Sequence, residues 1–313
     1  MHLSELLTVA LATGFSIASP VQKRQAVDDF LILNYALTLE YLERKFYQEG
    51  IANYSQADFV AAGFPDPFYT NLLEVYADEK THVEFLSGAI AAAGGTPVNE
   101  ATYSFPATDA KSFVTLSSVL EGVGVSAYLG AAADILNKDY LTAAGSILSV
   151  EARHSSYIRA ALSQSPFPLP FDTPLDFNEV FSLAAPFITA FAPGDPPLPF
   201  KAFPPLALEC TQYYYTAGRS SVTFKGAKKA YPAEGKQVYA TFFSGLTPYI
   251  IPVRTTNHDY KIDAIPAGIA GQTYVVLTTD PAAATDETII AGPAILEVYP
   301  KGKTPATPKP KCA

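Results

Sequence analysis

The chain has 313 residues, 30 acidic against 21 basic side chains, a net charge of −9, and 49% hydrophobic but only 16% charged residues. Its length suits about two domains and its composition excludes intrinsic disorder, while the acidic balance, with no Lys/Arg block before the C-terminal tail, argues against a nucleic-acid partner. Two cysteines are too few for a disulfide-built scaffold or a thiolate zinc cluster, and no apolar run reaching the ~20 residues of a bilayer span is expected, so no membrane partner is either.

Residues 1–24 read as a signal peptide and dibasic propeptide. Leu6 to Ile17 is a short apolar run, Ser16-Ile-Ala18 offers small residues for cleavage, and Lys23-Arg24 is a dibasic processing pair. A secreted, extracellular protein follows, with the cell wall as one destination. The sequon Asn53-Tyr54-Ser55 agrees and makes Asn53 a glycosylation site on the surface.

Residues 25–164 read as four helices. The first spans about Val27 to Glu49, with Phe30, Leu33, Leu37 and Tyr47 as apolar positions and Asp28 and Asp29 at its start, where acidic groups face the positive end of the helix dipole. The second starts at Asp66-Pro67, a cap followed by proline in the first turn, and ends at Gly94-Gly95. The third runs from Thr108 or Asp109 to about Asn137, and the fourth from about Asp139 to Pro166. So short a last link makes the third and fourth helices antiparallel neighbours. The segment Gly95 to Ala107 has about 13 residues and reaches ~43 Å extended. That is enough to run the length of a helix of about 25 residues, ~38 Å, and permits one long crossover. The link between the first two helices is also long and leaves other connectivities open.

Residues 165–206 form a proline-rich connecting segment whose Phe177, Phe181, Leu183, Phe187 and Phe191 predict packing on the bundle, with a short helix over Leu175 to Ala185. Residues 207–300 change to short strands: Ser221 to Phe224, Val238 to Phe243, Tyr249 to Thr255, Tyr274 to Thr278 and Ile295 to Tyr299. Their spacing predicts a small Ig-like β-sandwich. Residues 301–313 are a Lys/Pro-rich extended tail without a GPI signal. In a secreted chain Cys210 and Cys312 are expected to pair, closing a loop of about 100 residues for roughly 4.7 kcal/mol in the chain-entropy model. Two free thiols are the alternative.

The chemistry lies in the bundle. Glu79 and His82 are three apart on the second helix, as are Glu151 and His154 on the fourth, so each pair shares a face. Glu40 on the first helix and Glu121 on the third sit at the same level, all six within ~5 Å of their helix midpoints at 1.5 Å per residue. Glu121 lies among Val119, Leu120, Val123 and Val125, where an unpaired carboxylate is costly. Four carboxylates and two imidazoles in one layer call for cations, and two divalent ions balance four negative charges. A Glu from two helices and a Glu-x-x-His from the other two is the pattern of di-iron and di-manganese bundles.

Glu43 lies about 60° from Glu40 on the helix wheel and reads as a substitute ligand or as surface charge. Tyr47 and Tyr128 each follow a ligand Glu by seven residues. They read as hydrogen-bond partners or electron donors at the centre, or as core aromatics with a hydroxyl at the rim. His258, between Asn257 and Asp259, reads as a turn residue.

The stretches Leu33 to Glu43, Asp78 to His82, Leu120 to Gly124 and Val150 to His154, with Pro170 to Pro174 and Ala184 to Ile188, resemble the secreted fungal ferritin-like domain proteins described as stress-response or late-sexual-development proteins and related to plant desiccation proteins. The resemblance covers about residues 27–206 and implies an α+β multidomain fold, a ferritin-like four-helix bundle followed by the β-sandwich. It also implies two Fe or Mn ions, Glu40 and His82 ending one, Glu121 and His154 ending the other, and Glu79 and Glu151 bridging.

The leading functional reading, which rests on the ligand set, is redox chemistry on peroxide, dioxygen or Fe(II), with a small oxidant or a metal ion as substrate in stress or development. Oxygen and nitrogen ligands suit Fe or Mn. A non-enzymatic structural or stress-protection protein is the second reading. A third is a cell-wall or glycan-binding module working through Tyr213, Tyr214 and Tyr215, although consecutive strand residues alternate faces and cannot form one platform.

Overall fold

The computed structural model describes residues 27–195, 198–209, 215–226, 236–256 and 259–299. Lys23-Arg24, both cysteines, Tyr213, Tyr214, His258 and the tail lie outside them, so the expectations placed on those residues are not addressed by the fold.

The bundle has the four expected long helices, α1 (Asp29–Asn53), α3 (Phe68–Ala92), α4 (Ala110–Ala131) and α5 (Lys138–Ala161), with a short α2 (Gln56–Ala61) in the first link. Asp28 caps α1 by accepting from the Leu31 N–H. The helix continues past its expected end near Glu49, through Gly50 to Asn53. A Cβ on Gly50 would sit 2.0 Å from the Phe113 ring, so the residue admits an aromatic from α4 and does not end the helix. α2 forms where a loop is expected because Ser55 and Asp58 close a reciprocal capping box.

Two predicted boundaries are corrected. Asp66 does not cap α3. Its carboxylate accepts from Gln56 Nε2 at 2.6 Å, and Pro67 takes the cap position, its carbonyl accepting from the Asn71 N–H. α4 ends at Ala131 and not near Asn137. Asp29 on α1 accepts from the backbone of Leu136 and Asn137, and Asn137 then caps α5.

α1 packs along α3, α4 along α5, and α1 along α4. The crossover from α3 to α4 starts beside the first turns of α1, where Asn34 bonds the Thr96 carbonyl and the Val98 N–H. It ends at the other end of α1, where the Tyr54 hydroxyl donates to the Ala107 carbonyl. It therefore runs the length of α1, the ferritin-like connectivity. Its strand β1 (Thr102–Tyr103) pairs antiparallel with β2 (Ile188–Ala190), and α6 (Phe177–Ala184) lies on α4. By length and composition α4 could cross a membrane, contrary to the expectation that no run would, but 67% of its most apolar stretch is buried inside this protein.

The β-rich domain is a two-sheet sandwich. One sheet orders β3 (Leu206–Leu208), β5 (Val222–Gly226), β9 (Asp259–Ile262) and β8 (Arg254–Thr256). The other orders β4 (Tyr215–Thr216), β11 (Ile289–Tyr299), β10 (Gly271–Thr278), β6 (Tyr239–Phe243) and β7 (Tyr249–Pro252). All pairs are antiparallel except β4 with β11. Taken in chain order, this reproduces the ABED and GFC sheets of an Ig-like fold. The five predicted strands are present, with the second half of Tyr249 to Thr255 split off as β8. β9 is the sizeable strand that the sequence pattern did not reveal.

Candidate metal centre

Antiparallel packing of α1 on α3 and of α4 on α5 superimposes the midpoints of these helices, and the six expected side chains meet there. Glu40, Glu79 and Glu151 have no exposed surface, Glu121 is 1% exposed, and His82 and His154 are buried. Their ligand atoms fall into two overlapping sets, Glu40, Glu79, His82 and Glu151, and Glu79, Glu121, Glu151 and His154, each set lying within 4.8 Å. Glu79 and Glu151 belong to both.

His82 Nδ1 lies 3.2 Å from Glu40, 3.4 Å from Glu79 and 3.4 Å from Glu151. His154 Nδ1 lies 3.0 Å from Glu79 and 3.4 Å from Glu121. On the far side of its ring, His154 Nε2 is 3.1 Å from Asp78, a partner to which sequence reasoning gave no role. A proton on Nε2 shared with that carboxylate keeps Nδ1 turned into the layer, where it becomes a ligand atom once its own proton is lost.

The tyrosines follow the geometry of the helix pair. In antiparallel α1 and α4, the residue seven beyond one Glu stands opposite the other Glu. The Tyr47 hydroxyl donates to Glu121 and the Tyr128 hydroxyl to Glu40, each across the helix interface. Burial and the facing carboxylate raise both phenols well above their ordinary value, so both remain donors. Of the two readings of these tyrosines, the hydrogen-bonding one matches the geometry.

Glu43 is not surface charge. It is 4% exposed, and Glu40 keeps its own place beside His82. α1 lies between α3 and α4, so the 60° between the two glutamates turns Glu40 toward His82 on α3 and Glu43 toward Gly124 on α4.

The electrostatics are those of an excess of buried carboxylates. Burial pushes Glu40 up to about 7, the His82 contact opposing and the Glu79 charge adding. Burial and the Glu79 charge raise Glu151 well above the carboxylate range, and burial with the charges of Glu151 and Glu79 does the same to Glu43. For Glu79, burial is outweighed by His154 and His82, which hold it at about 2. Burial alone would lower the imidazoles, yet the carboxylates raise both, His154 to about 11. Both oxygens of Glu79 and of Glu151, Glu121 Oε2 and His154 Nδ1 are buried without a well-formed hydrogen bond. Buried polar atoms are rarely left so, and their oxygen and nitrogen chemistry is that of metal ligands.

In the sandwich, Tyr215 is 1% exposed and presents no face to a glycan. Asn53 is exposed at the end of α1.

Residues 28–164 match the family model of the ferritin-like domain. The chain is also 25% identical over 181 residues to Protein rds1 of Schizosaccharomyces pombe, a match covering 58% of this chain and 44% of that protein. The aligned part is thus less than half of that relative's length.

Proposed function

We propose that the buried layer of residues 28–164, which match the ferritin-like domain model, holds two Fe or Mn ions, Glu79 and Glu151 bridging, and serves redox chemistry on peroxide, dioxygen or Fe(II). The observation that carries this is the pair of overlapping four-residue sets with two shared carboxylates. Two ions held so would supply a pair of electrons at one site. The chain's own part is to hold and orient. Glu40 with His82, and Glu121 with His154, complete the two sets; Asp78 fixes one imidazole; Tyr128 and Tyr47 hold the terminal carboxylates. The four long helices shield the layer and admit only small reactants. The test is metal content together with turnover: close to two ions per chain, and metal-dependent peroxide disproportionation or Fe(II) oxidation abolished by His82→Ala and by His154→Ala. Loaded wild type no faster than those variants would refute the redox role.

The near-complete burial of the six residues favours a second reading, a non-enzymatic stress-protection protein whose ions stabilise the bundle. It predicts the same stoichiometry without turnover. We also propose secretion, with processing after Lys23-Arg24, glycosylation of the exposed Asn53 and a Cys210–Cys312 bridge, all readable by intact mass before and after reduction.

A further inference from the structure

One buried group lies outside both four-residue sets. Glu43 stands on α1 facing Gly124 of α4, where an added Cβ would lie 3.0 Å from Glu43 Oε1 and 2.8 Å from Glu151 Oε2. The missing side chain at Gly124 thus leaves the space through which Glu43 meets the bridging carboxylate. The charges acting on Glu43 are those of Glu151, Glu79, Glu40 and Glu121, all of one sign.

Glu43 also forms the floor of a cavity of about 180 Å³ between α1, α4 and α6. The rest of the lining is apolar: Leu120 and Val123 from α4, Leu183 and Ala184 from α6, Phe187 just beyond it, and Ile295 of β11 from the sandwich. Leu183 and Phe187 are only partly buried and mark the outer side, while Glu43 and Gly124 are buried and mark the side of the centre. An apolar cavity of about 150 Å³ stays dry and holds benzene. This one is larger and ends on a single carboxyl group.

We infer that this cavity binds an uncharged, benzene-sized organic molecule carrying one hydrogen-bonding group, its body against Leu120, Val123, Leu183 and Phe187 and its polar group on Glu43. Neither an ion nor a sugar fits such walls: a charged ligand would lose its hydration to aliphatic side chains, and a polyol would leave most hydroxyls unpaired. The position of the ligand beside the metal ions rests on the function proposed above, but its binding does not.

Phenol is the probe, titrated into the full-length protein with and without metal and followed by saturation-transfer NMR. Saturable binding with a Kd on the order of 1 mM is expected, weakened at least about tenfold by Leu183→Trp, which fills the outer part from a partly exposed position, and by Ala184→Phe, which fills the centre. In metal-loaded wild type, phenol should also shift the visible absorption of the centre, and this shift should vanish in Leu183→Trp. Saturable, variant-sensitive binding by protein that takes up no metal supports the cavity while refuting the metal reading. Absence of saturable binding up to about 10 mM, or binding unchanged in a folded Leu183→Trp protein, overturns the proposal.

Discussion

At mid-height in the bundle Glu40, Glu79 and Glu151 are wholly buried, whereas the corresponding depth of the sandwich holds Phe224, Phe242, Val275, Leu277 and Leu296, all equally inaccessible. Both interiors exclude water, but only one is filled by groups that gain from the exclusion. Each apolar residue of the sandwich contributes roughly 1.5–3 kcal/mol by burial. The carboxylates of the bundle lose hydration and gain, from the protein alone, two imidazoles and two phenolic hydrogen bonds. One interior is built for stability. The other gives up stability to keep buried oxygens and a nitrogen unpartnered.

The largest effect expected from this difference is on metal content. Glu79→Ala or Glu151→Ala should lose most of both ions, because each carboxylate belongs to both four-residue sets; elemental analysis of the purified variants checks it. The effect of pH follows from the same layer. Without metal the carboxylates hold His154 protonated up to about pH 11, and a metal ion must displace that proton to reach Nδ1. Apparent affinity should therefore rise with pH through neutrality and fall on acidification, with protons released on loading. Titration of metal into weakly buffered protein reads both. Pre-existing neutral imidazoles, seen as loading without proton release, would contradict it.

Stability separates the two interiors in the opposite sense. Phe242→Ala in the sandwich should cost about 3–5 kcal/mol in chemical denaturation. Glu151→Gln, compared metal-free with metal-free, should cost nothing or stabilise, since it removes a carboxylate that burial and Glu79 already push far from its ordinary value. A destabilised metal-free Glu151→Gln protein would mean that the contact of Glu151 with protonated His82 outweighs its burial and its repulsion by Glu79.

The same contrast explains what was legible in the sequence. Glu-x-x-His spacing reports directly on a helix face, so the six residues and their level could be read without any neighbour. The runs of β-branched and aromatic residues in β6, β10 and β11, set off by turn residues, were readable without a neighbour too. Glu43 and Asp78 were not, because their roles depend on which helix stands opposite, and a wheel cannot say whether 60° leads to solvent or to Gly124. The end of α1 was placed too early, near Glu49, and the reason for Gly50 inside the helix lies on α4. Two local signals went unread: Ser55 and Asp58, whose capping box starts α2, and the alternation of Asp259, Tyr260, Lys261 and Ile262, too short to separate β9 from its turn. The junction of the two domains left no local trace. There Gln272 Nε2 donates to the Val119 carbonyl and the Tyr274 hydroxyl to Gly122, next to Glu121.

The junction is also where the two interiors meet, through a buried ion pair. Arg159 of α5 holds Glu297 of β11 by two hydrogen bonds, at 2.9 and 2.7 Å, with both side chains largely buried. Arg159→Ala would leave Glu297 without its counter-charge where burial already raises it, and should cost about 3–5 kcal/mol. Arg159→Met with Glu297→Leu should recover most of that loss, as replacement of both members by apolar residues usually does. Equal destabilisation in single and double variants would show that packing, and not the charge, joins the domains.

An effect on one ion at a time is expected at the tyrosines, and it tests the near-symmetry of the centre. Tyr47 holds Glu121, which stands in one four-residue set, and Tyr128 holds Glu40, which stands in the other. Tyr47→Phe or Tyr128→Phe removes one hydrogen bond to a carboxylate and leaves the helix packing in place, a loss of about 1.5–3 kcal/mol for a charged acceptor. That corresponds to roughly 10- to 150-fold in affinity for one ion and little for the other. Tyr47→Phe should weaken the site of Glu121 and His154, and Tyr128→Phe the site of Glu40 and His82. Stepwise metal titration should then resolve one tight and one weakened ion in each variant, and both weakened in the double variant. If either single variant weakens both ions equally, the bridging carboxylates couple the two sites so strongly that the ions bind as one unit, and the hydroxyls act on the pair together.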